Sequence, residues 1–319
     1  MFLKKISLLL IYFTYDFWKF FVHSSVFRTN NQDKLESKIN YYYHSIEKGL
    51  ISEDIRFKFG ASKIKKLTGF LNKWIGYGYD TTNSQFISAC TVLEKYYELH
   101  NEHGIVISDI IPNDILALII QKYSKNNQGG VVNFTSQNYF KYQNDNFENF
   151  SRSRHSIRHF NGELVSVDVI ERVVNLAKYA PSVCNRQSAR IKLVNEQNLV
   201  QEALKIQAGM NATARSVRQL MVVTSNINAF VSEVERNQMF IDGGIFLQNL
   251  LYALHHNGLA ACALNWSKPF HYDLKLKKLL DINSSERIIA AVAIGYPAEK
   301  FKVPFSKRKE VSEILEIIG

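Results

Sequence analysis

Hydrophobic and polar positions along this 319-residue chain follow two different rhythms. In the first 150 residues apolar positions recur at helical spacing. Phe86 to His100 repeats them every three or four residues, Pro112 to Tyr123 opens with Pro and Asp, and Lys34 to Ser45 is polar with tyrosines, so each reads as a helix. From Tyr123 to Phe150 the pattern lapses into Asn, Gln, Ser and Gly, including Asn126-Asn127-Gln128-Gly129-Gly130, the composition of a linker. Beyond it helices and strands alternate. Val167 to Ala180 is an amphipathic helix stopped by Pro181, and Arg190 to Val194 and Gln219 to Thr224 read as short strands. Gly244 to Asn257 is an almost wholly apolar helix, with Gly258 suited to the left-handed position past its end. Cys262 to Trp266 is another short strand, and the apolar run Ile288 to Ile294, closed by Gly295, predicts a strand buried on both faces. The expected organisation is a mainly helical extension over 1–150 and a layered domain of α+β or α/β class over 151–319.

Residues 1–22 need separate treatment. Two lysines precede an apolar run from Ile6 to Phe13, and Asp16 and Lys19 then stand among aromatics. The small-x-small cleavage site of a secretory signal is missing, and the uncharged stretch Ile6 to Tyr15 is too short to span a bilayer. Two readings stay open. One is a helix packed on the protein's own body or a partner subunit; the other is a peripheral membrane contact with Phe17, Trp18, Phe20 and Phe21 at headgroup level.

Composition narrows the class. With 46% hydrophobic and 21% charged residues the chain has the make-up of a folded globular protein. Its net charge of +10 lies mostly in residues 151–319, +7 against +3 in residues 1–150. That excess suits an anionic partner or a phosphate-bearing ligand. No Lys/Arg tract with interleaved aromatics and no nucleic-acid-binding signature accompanies it, so no nucleic-acid partner is expected. Cys90, Cys184 and Cys262 are odd in number and far apart, which fits a reducing cytoplasm and no metal site.

Four segments carry candidate chemistry. Arg152 to Phe160 (Arg-Ser-Arg-His-Ser-Ile-Arg-His-Phe) gathers guanidinium groups that bind phosphate in bidentate fashion, although a solvated basic loop would look the same. Tyr179 to Ser188 crowds Ser182, Asn185 and Gln187 into a turn opened by Pro181, more hydrogen-bonding groups than a turn needs. Gly258 to Trp266 is rich in small residues, which let backbone N–H groups approach a flat ligand. Gly295-Tyr296-Pro297, with Ser306, Lys307 and Arg308 after it, adds late cations.

Taken in order, these segments resemble the nitroreductase family. Arg154 to Phe160 is similar to its Arg-x-Ser-x-Arg-x-Phe opening, and Ala180 to Gln187 to its Ala-Pro-Ser-x-x-Asn-x-Gln signature. Gly244 to Gly258 with the following strand, and Ile294 to Pro297, stand in the third and fourth places. The resemblance implies an α+β, three-layer fold with a mixed central sheet flanked by helices, and a homodimer holding FMN at its interface. It places Arg154, His155 and Ser156 at the FMN phosphate and ribityl chain. Arg158 goes to the N1–C2 edge of the ring, where a cation favours electron uptake. Pro181, Ser182, Asn185 and Gln187 line the ring, Asn211 touches its pyrimidine side, and Ala263, Leu264, Asn265 and Trp266 lie near N5. Ser306 with Lys307 or Arg308 closes on the phosphate. The implied activity is an FMN-dependent oxidoreductase using NADH or NADPH and an organic acceptor; a flavin-binding partner or sensor without turnover is the alternative.

This sequence departs from the family where Ser188 and Ala189 replace the usual Pro and aromatic, and where Ala260 replaces a Gly, which leaves the substrate open. Tyr43-His-Ser-Ile-Glu-Lys-Gly-Leu50 is similar to an extension of nitroreductase-like proteins associated with bacterial surface-polysaccharide gene clusters. His44, Glu47 and Lys48 read either as acid/base or substrate groups or, at one-turn spacing, as a helix terminus ended by Gly49. His255-His256 reads as a helix end, Cys184 as packing, and Ser182 lacks the context of a hydrolase nucleophile.

Overall fold

The computed structural model describes residues 2–210 and 213–319; Met1, Asn211 and Ala212 lie outside the described residues, and with them the expectation placed on Asn211. In chain order the elements are α1 (Phe2–His23), α2 (Gln32–Leu50), α3 (Ala61–Gly76), α4 (Ser84–Glu102), α5 (Asn113–Leu118), β1 (Val131–Thr135), α6 (Ser136–Tyr139), α7 (Phe147–Ser153), α8 (Val167–Ala177), β2 (Ala189–Val194), α9 (Gln197–Gln207), β3 (Gln219–Asn226), α10 (Gln238–His256), β4 (Ala260–Asn265), α11 (Phe270–Leu280), β5 (Glu286–Gly295) and β6 (Lys300–Pro304). The class is α+β, a helical N-terminal region followed by a nitroreductase-like sheet domain.

Two compact units emerge. One comprises residues 13–132 and 302–319, the other residues 1–12 and 133–301. Residues 133–150 cluster with the sheet and not with the helices, and residues 302–319 cluster with the helices. The polar stretch 123–150 is not a bare linker either, since β1, α6 and α7 form within it.

In the helical unit, Leu35, Ile39, Tyr43, Ile46 and Leu50 recur along one side of α2 and meet Ile64, Leu67, Leu71 and Trp74 of α3. Phe86, Ala89, Cys90, Leu93 and Tyr96 of α4 complete the core. Asn31 caps α2 by accepting from the Lys34 N–H at 2.9 Å, and Asn83 caps α4 through the Gln85 and Phe86 N–H groups. Gly49 does not end α2, which runs on to Leu50. A Cβ at Gly49 would lie 2.0 Å from the Phe59 ring, so close packing explains the glycine.

In the sheet unit the strand order is β2-β3-β5-β4, and every neighbouring pair is antiparallel. The expected mixed sheet is therefore corrected. β3 and β4 run the same way but are separated by β5, which opposes both. Ile170, Val173 and Ala177 of α8 and Leu250 and Leu254 of α10 cover Met221, Val223, Val292 and Ile294 on one face. Leu220 and Val222 point the other way and are equally buried, where α9 meets β3 and α11 packs on α9. β5 is buried on both faces, as its unbroken apolar run predicts. Gly258 takes φ of 72° just past α10, the left-handed position expected of it. α8 stops at Ala177 rather than reaching Pro181.

Candidate functional site

The opening segment of the sheet unit is extended and alternates. Ile157 and His159 are buried, while Ser156 and Arg158 between and beside them are half-buried. The Ile157 N–H donates to Ala261 O at 3.0 Å, tying the segment to β4, and Ala298 and Asn161 continue the stitching to His159 O and Tyr296 O. Arg158 offers Nη1 to Ser156 O at 3.4 Å, and its buried Nε has no hydrogen-bond partner among the described residues. A guanidinium held like that is short of acceptors.

His155 is fixed from an unexpected direction. Tyr139 Oη donates to His155 O at 3.0 Å and accepts from His155 N at 3.1 Å. Burial pushes the Tyr139 phenol up to about 12, so it stays a neutral donor. Tyr139 lies in the stretch that reads as linker, where it is one of several aromatics and nothing singles it out. His255, read from the sequence as part of a helix end, does lie in the last turn of α10. It is buried among Tyr139, Phe140 and Phe150, and its Nε2 lies 2.9 Å from Ser153 Oγ. Burial, with Arg154 and His155 nearby, lowers its pKa to about 4. No group of three metal-ligating side chains forms among the described residues.

The loop after α8 is strained. Cys184, Asn185 and Gln187 have φ of 47°, 54° and 50°, left-handed values that non-glycine residues adopt at a cost. Asp242 of α10, itself buried, holds the loop by accepting from the Val183 N–H at 3.3 Å, and Arg186 pairs with Glu235. Ser182 Oγ accepts from Gln187 N at 3.0 Å, and Gln187 Nε2 donates to Asn185 Oδ1 at 3.1 Å. Pro181, Ser182 and Gln187 line a cavity of about 410 Å³ together with the apolar Ile170, Val174, Ile191, Leu193 and Phe246 and the charged Lys178, Arg190 and Asp242. Asp242 had no place among the sequence candidates; a single acid inside an apolar helix was the one available clue.

β4 supplies the small-residue edge. Ala260, Ala261 and Cys262 are buried, Ala263 is half-buried, Leu264 is buried and Asn265 is exposed. Gln207 Nε2 donates to Asn265 O at 2.9 Å, and Trp266 Nε1 donates to Asp273 at 3.0 Å. The opening segment and β4 are thus brought together, whereas the 181–187 loop is anchored separately on α10. Asn185, Gln187, Asn265 and the unsatisfied Arg158 fit a planar, phosphorylated heterocycle with acceptors on its rim.

Ser306, Lys307 and Arg308 belong to the helical unit. Ser306 has φ of 50°, Lys307 pairs with Glu310 at 2.8 Å, and Arg308 Nη1 donates to Ser306 O. Glu47, fully buried, explains the motif around it. Its Oε1 accepts both the Gly130 and the Ser306 N–H at 3.3 Å, and its Oε2 lies 3.4 Å from His44 Nδ1. Nearby, Gln85 joins Tyr43 Oη at 2.6 Å to Lys307 O at 3.2 Å. Glu47 is a buried clasp between two loops, and Lys48 is exposed.

Several known proteins are similar to part of this chain. Iodotyrosine deiodinase of Hydra vulgaris is 22% identical over 210 residues, covering 57% of this chain and 76% of that protein. Iodotyrosine deiodinase 1 of Mus musculus is 22% identical over 197 residues, covering 53% and 68%. Among solved structures, a nitroreductase-like protein of Streptococcus mutans superposes with a TM-score of 0.46 at 20% identity, covering 55% of this chain and 99% of that one. An FMN-dependent nitroreductase of Clostridium difficile gives 0.43 at 16%, covering 52% and 92%. Residues 151–296 match the nitroreductase family, and the C-terminal half of this chain therefore carries a nitroreductase family domain.

Proposed function

We propose that this domain binds FMN and acts as an FMN-dependent oxidoreductase, taking electrons from NADH or NADPH and passing them to a small organic acceptor. Arg158 carries the reading: its buried Nε lacks an acceptor, and it sits on a segment hydrogen-bonded to the small-residue strand β4. When bound, FMN supplies the centre that takes and gives hydride. The chain's own residues bind and orient. Arg158 serves the N1–C2 edge of the ring. Arg154, His155 and Ser156 serve the phosphate and ribityl hydroxyls. Ala263, Leu264, Asn265 and the Trp266 backbone let the ring approach near N5.

Pro181, Ser182, Asn185 and Gln187 enter this scheme from a second copy of the chain. The loop that bears them is pinned to Asp242 and Glu235, while the opening segment is pinned to Tyr139 and Ala261. Separate anchors suit a homodimer in which each copy completes the other's site. A link with surface-polysaccharide assembly belongs to the same proposal.

The visible spectrum of the purified protein tests it, followed by identification of the released flavin. Yellow protein that releases FMN and oxidises a reduced nicotinamide with a quinone, a nitroaromatic or iodotyrosine supports the reading. Colourless protein that takes up no added FMN overturns it. Bound FMN that neither nicotinamide reduces overturns the reductase part and leaves a flavin-binding partner.

A further inference from the structure

The first helix is inside out for one that packs on its own protein. Leu3, Ile6, Leu10, Phe13, Phe17 and Phe20 follow one another at spacings of three and four residues, so they share one side of α1. All six are exposed, from 39% at Ile6 to 76% at Leu3. No described residue of α1 is buried. The stripe with some shielding is Leu8, Tyr12 and Asp16, on the other side.

Charge along this stretch has one exposed sign. Lys4, Lys5, Lys19 and Arg28 are exposed, and Asp16, the single acid between residues 2 and 28, is half-buried. At the end of the helix Trp18, Phe21, Val22 and Phe27 line a cavity of about 390 Å³ whose charged lining residues, Arg28 and Lys34, are both cations. Lys34 Nζ already donates to Val22 O at 2.8 Å, which turns the end of α1 toward the start of α2.

We propose that α1 and the turn after it lie in the interface of a bilayer containing anionic lipid. The apolar stripe enters the upper acyl region, the Trp18 and Phe21 rings sit at the ester level, and Lys4, Lys5, Lys19 and Arg28 meet lipid phosphates. A second copy of the chain is a poorer cover, because pairing two such faces brings the lysines together with no exposed acid to answer them. A spanning role is not available, since no helix among the described residues is long and apolar enough to cross a membrane.

Co-sedimentation of the full chain with vesicles tests this, using phosphatidylcholine alone and phosphatidylcholine mixed with phosphatidylglycerol. The expected result is on the order of tenfold more protein on the anionic vesicles, a preference that fades as salt is added. Phe17→Glu with Phe20→Glu abolishes binding, and Lys4→Glu with Lys5→Glu removes the preference; both pairs lie on exposed positions, so far-ultraviolet circular dichroism stays unchanged. Protein left in the supernatant with both vesicle types overturns the proposal, as does equal binding to the two. A dimer in light scattering that Phe17→Glu converts to monomer, with vesicle binding intact, also overturns it and gives the face to a second copy.

Discussion

Two buried polar groups, Glu47 in the helical unit and Arg158 in the sheet unit, are held in contrasting ways. In the helical unit the carboxylate of Glu47 is buried and spent, holding two backbone N–H groups with His44 alongside. In the sheet unit the guanidinium of Arg158 keeps a buried nitrogen unsatisfied, and the loop after α8 holds three residues at left-handed φ. A satisfied buried group stabilises; an unsatisfied one, or a strained loop, costs free energy and is kept where a ligand repays it. Glu47 thus serves the fold, and Arg158 is the group on which the proposed ligand site rests.

The largest expected effect breaks that contrast from the helical side. Glu47→Ala strands two buried N–H donors and should cost about 2–5 kcal/mol, read as a lower urea midpoint. Glu47→Gln keeps an oxygen where Oε1 stands and should cost much less; equal losses in the two variants would assign the role to charge instead. Next is a pH effect in the sheet unit. Burial lowers the His255 pKa to about 4, so the unfolded chain takes up this proton near the ordinary 6.5 while the folded chain does not. The stability it contributes is complete above that ordinary value and is lost as pH falls toward 4, by about 3 kcal/mol in all. Urea midpoints measured across that range should fall for the native chain and stay flatter for His255→Phe.

Arg158→Ala sharpens the contrast from the other side. It should weaken FMN binding by a factor of about 10–100 in a fluorescence titration, while leaving the thermal midpoint of the apoprotein close to native or slightly raised. A large loss of stability without loss of flavin affinity would make Arg158 a structural residue. The smallest effect is Cys184→Gly, which removes the Cβ from a position with φ of 47°. Relief of strain against added chain entropy should leave a net change below about 1 kcal/mol.

Much of the sheet unit could be read from the chain. The apolar run of β5 and the helix closed by Gly258 are local patterns, set by period and by one residue's conformational freedom. α3, α9, α11 and β6 have no counterpart in that reading, although α3 carries Ile64, Leu67, Leu71 and Trp74 at helical spacing. The stretch 126–130 shows why composition misleads. A Cβ on Gly129 would stand 2.7 Å from Ser88 O, and Gly130 takes φ of 96° with its N–H on Glu47, so these glycines mark close packing where a linker was expected. The site was legible as residue types and not as geometry. Nothing local in the sequence shows that Tyr139 holds His155 or that Asp242 holds the 181–187 loop.

The clasp at Glu47 also sets an order of events while the chain is being made. Its two hydrogen-bond donors lie 83 and 259 positions further along. The first helices leave the ribosome early, yet the acid among them stays half-partnered until Ser306 emerges. At ordinary translation rates the interval between Gly130 and Ser306 lasts on the order of ten to thirty seconds, during which the four-stranded sheet β2-β3-β5-β4 is synthesised. The polar seam around Glu47 therefore closes after the strands of the sheet have been made, and a nascent chain stopped between Gly130 and Ser306 would hold Glu47 with one of its two backbone donors.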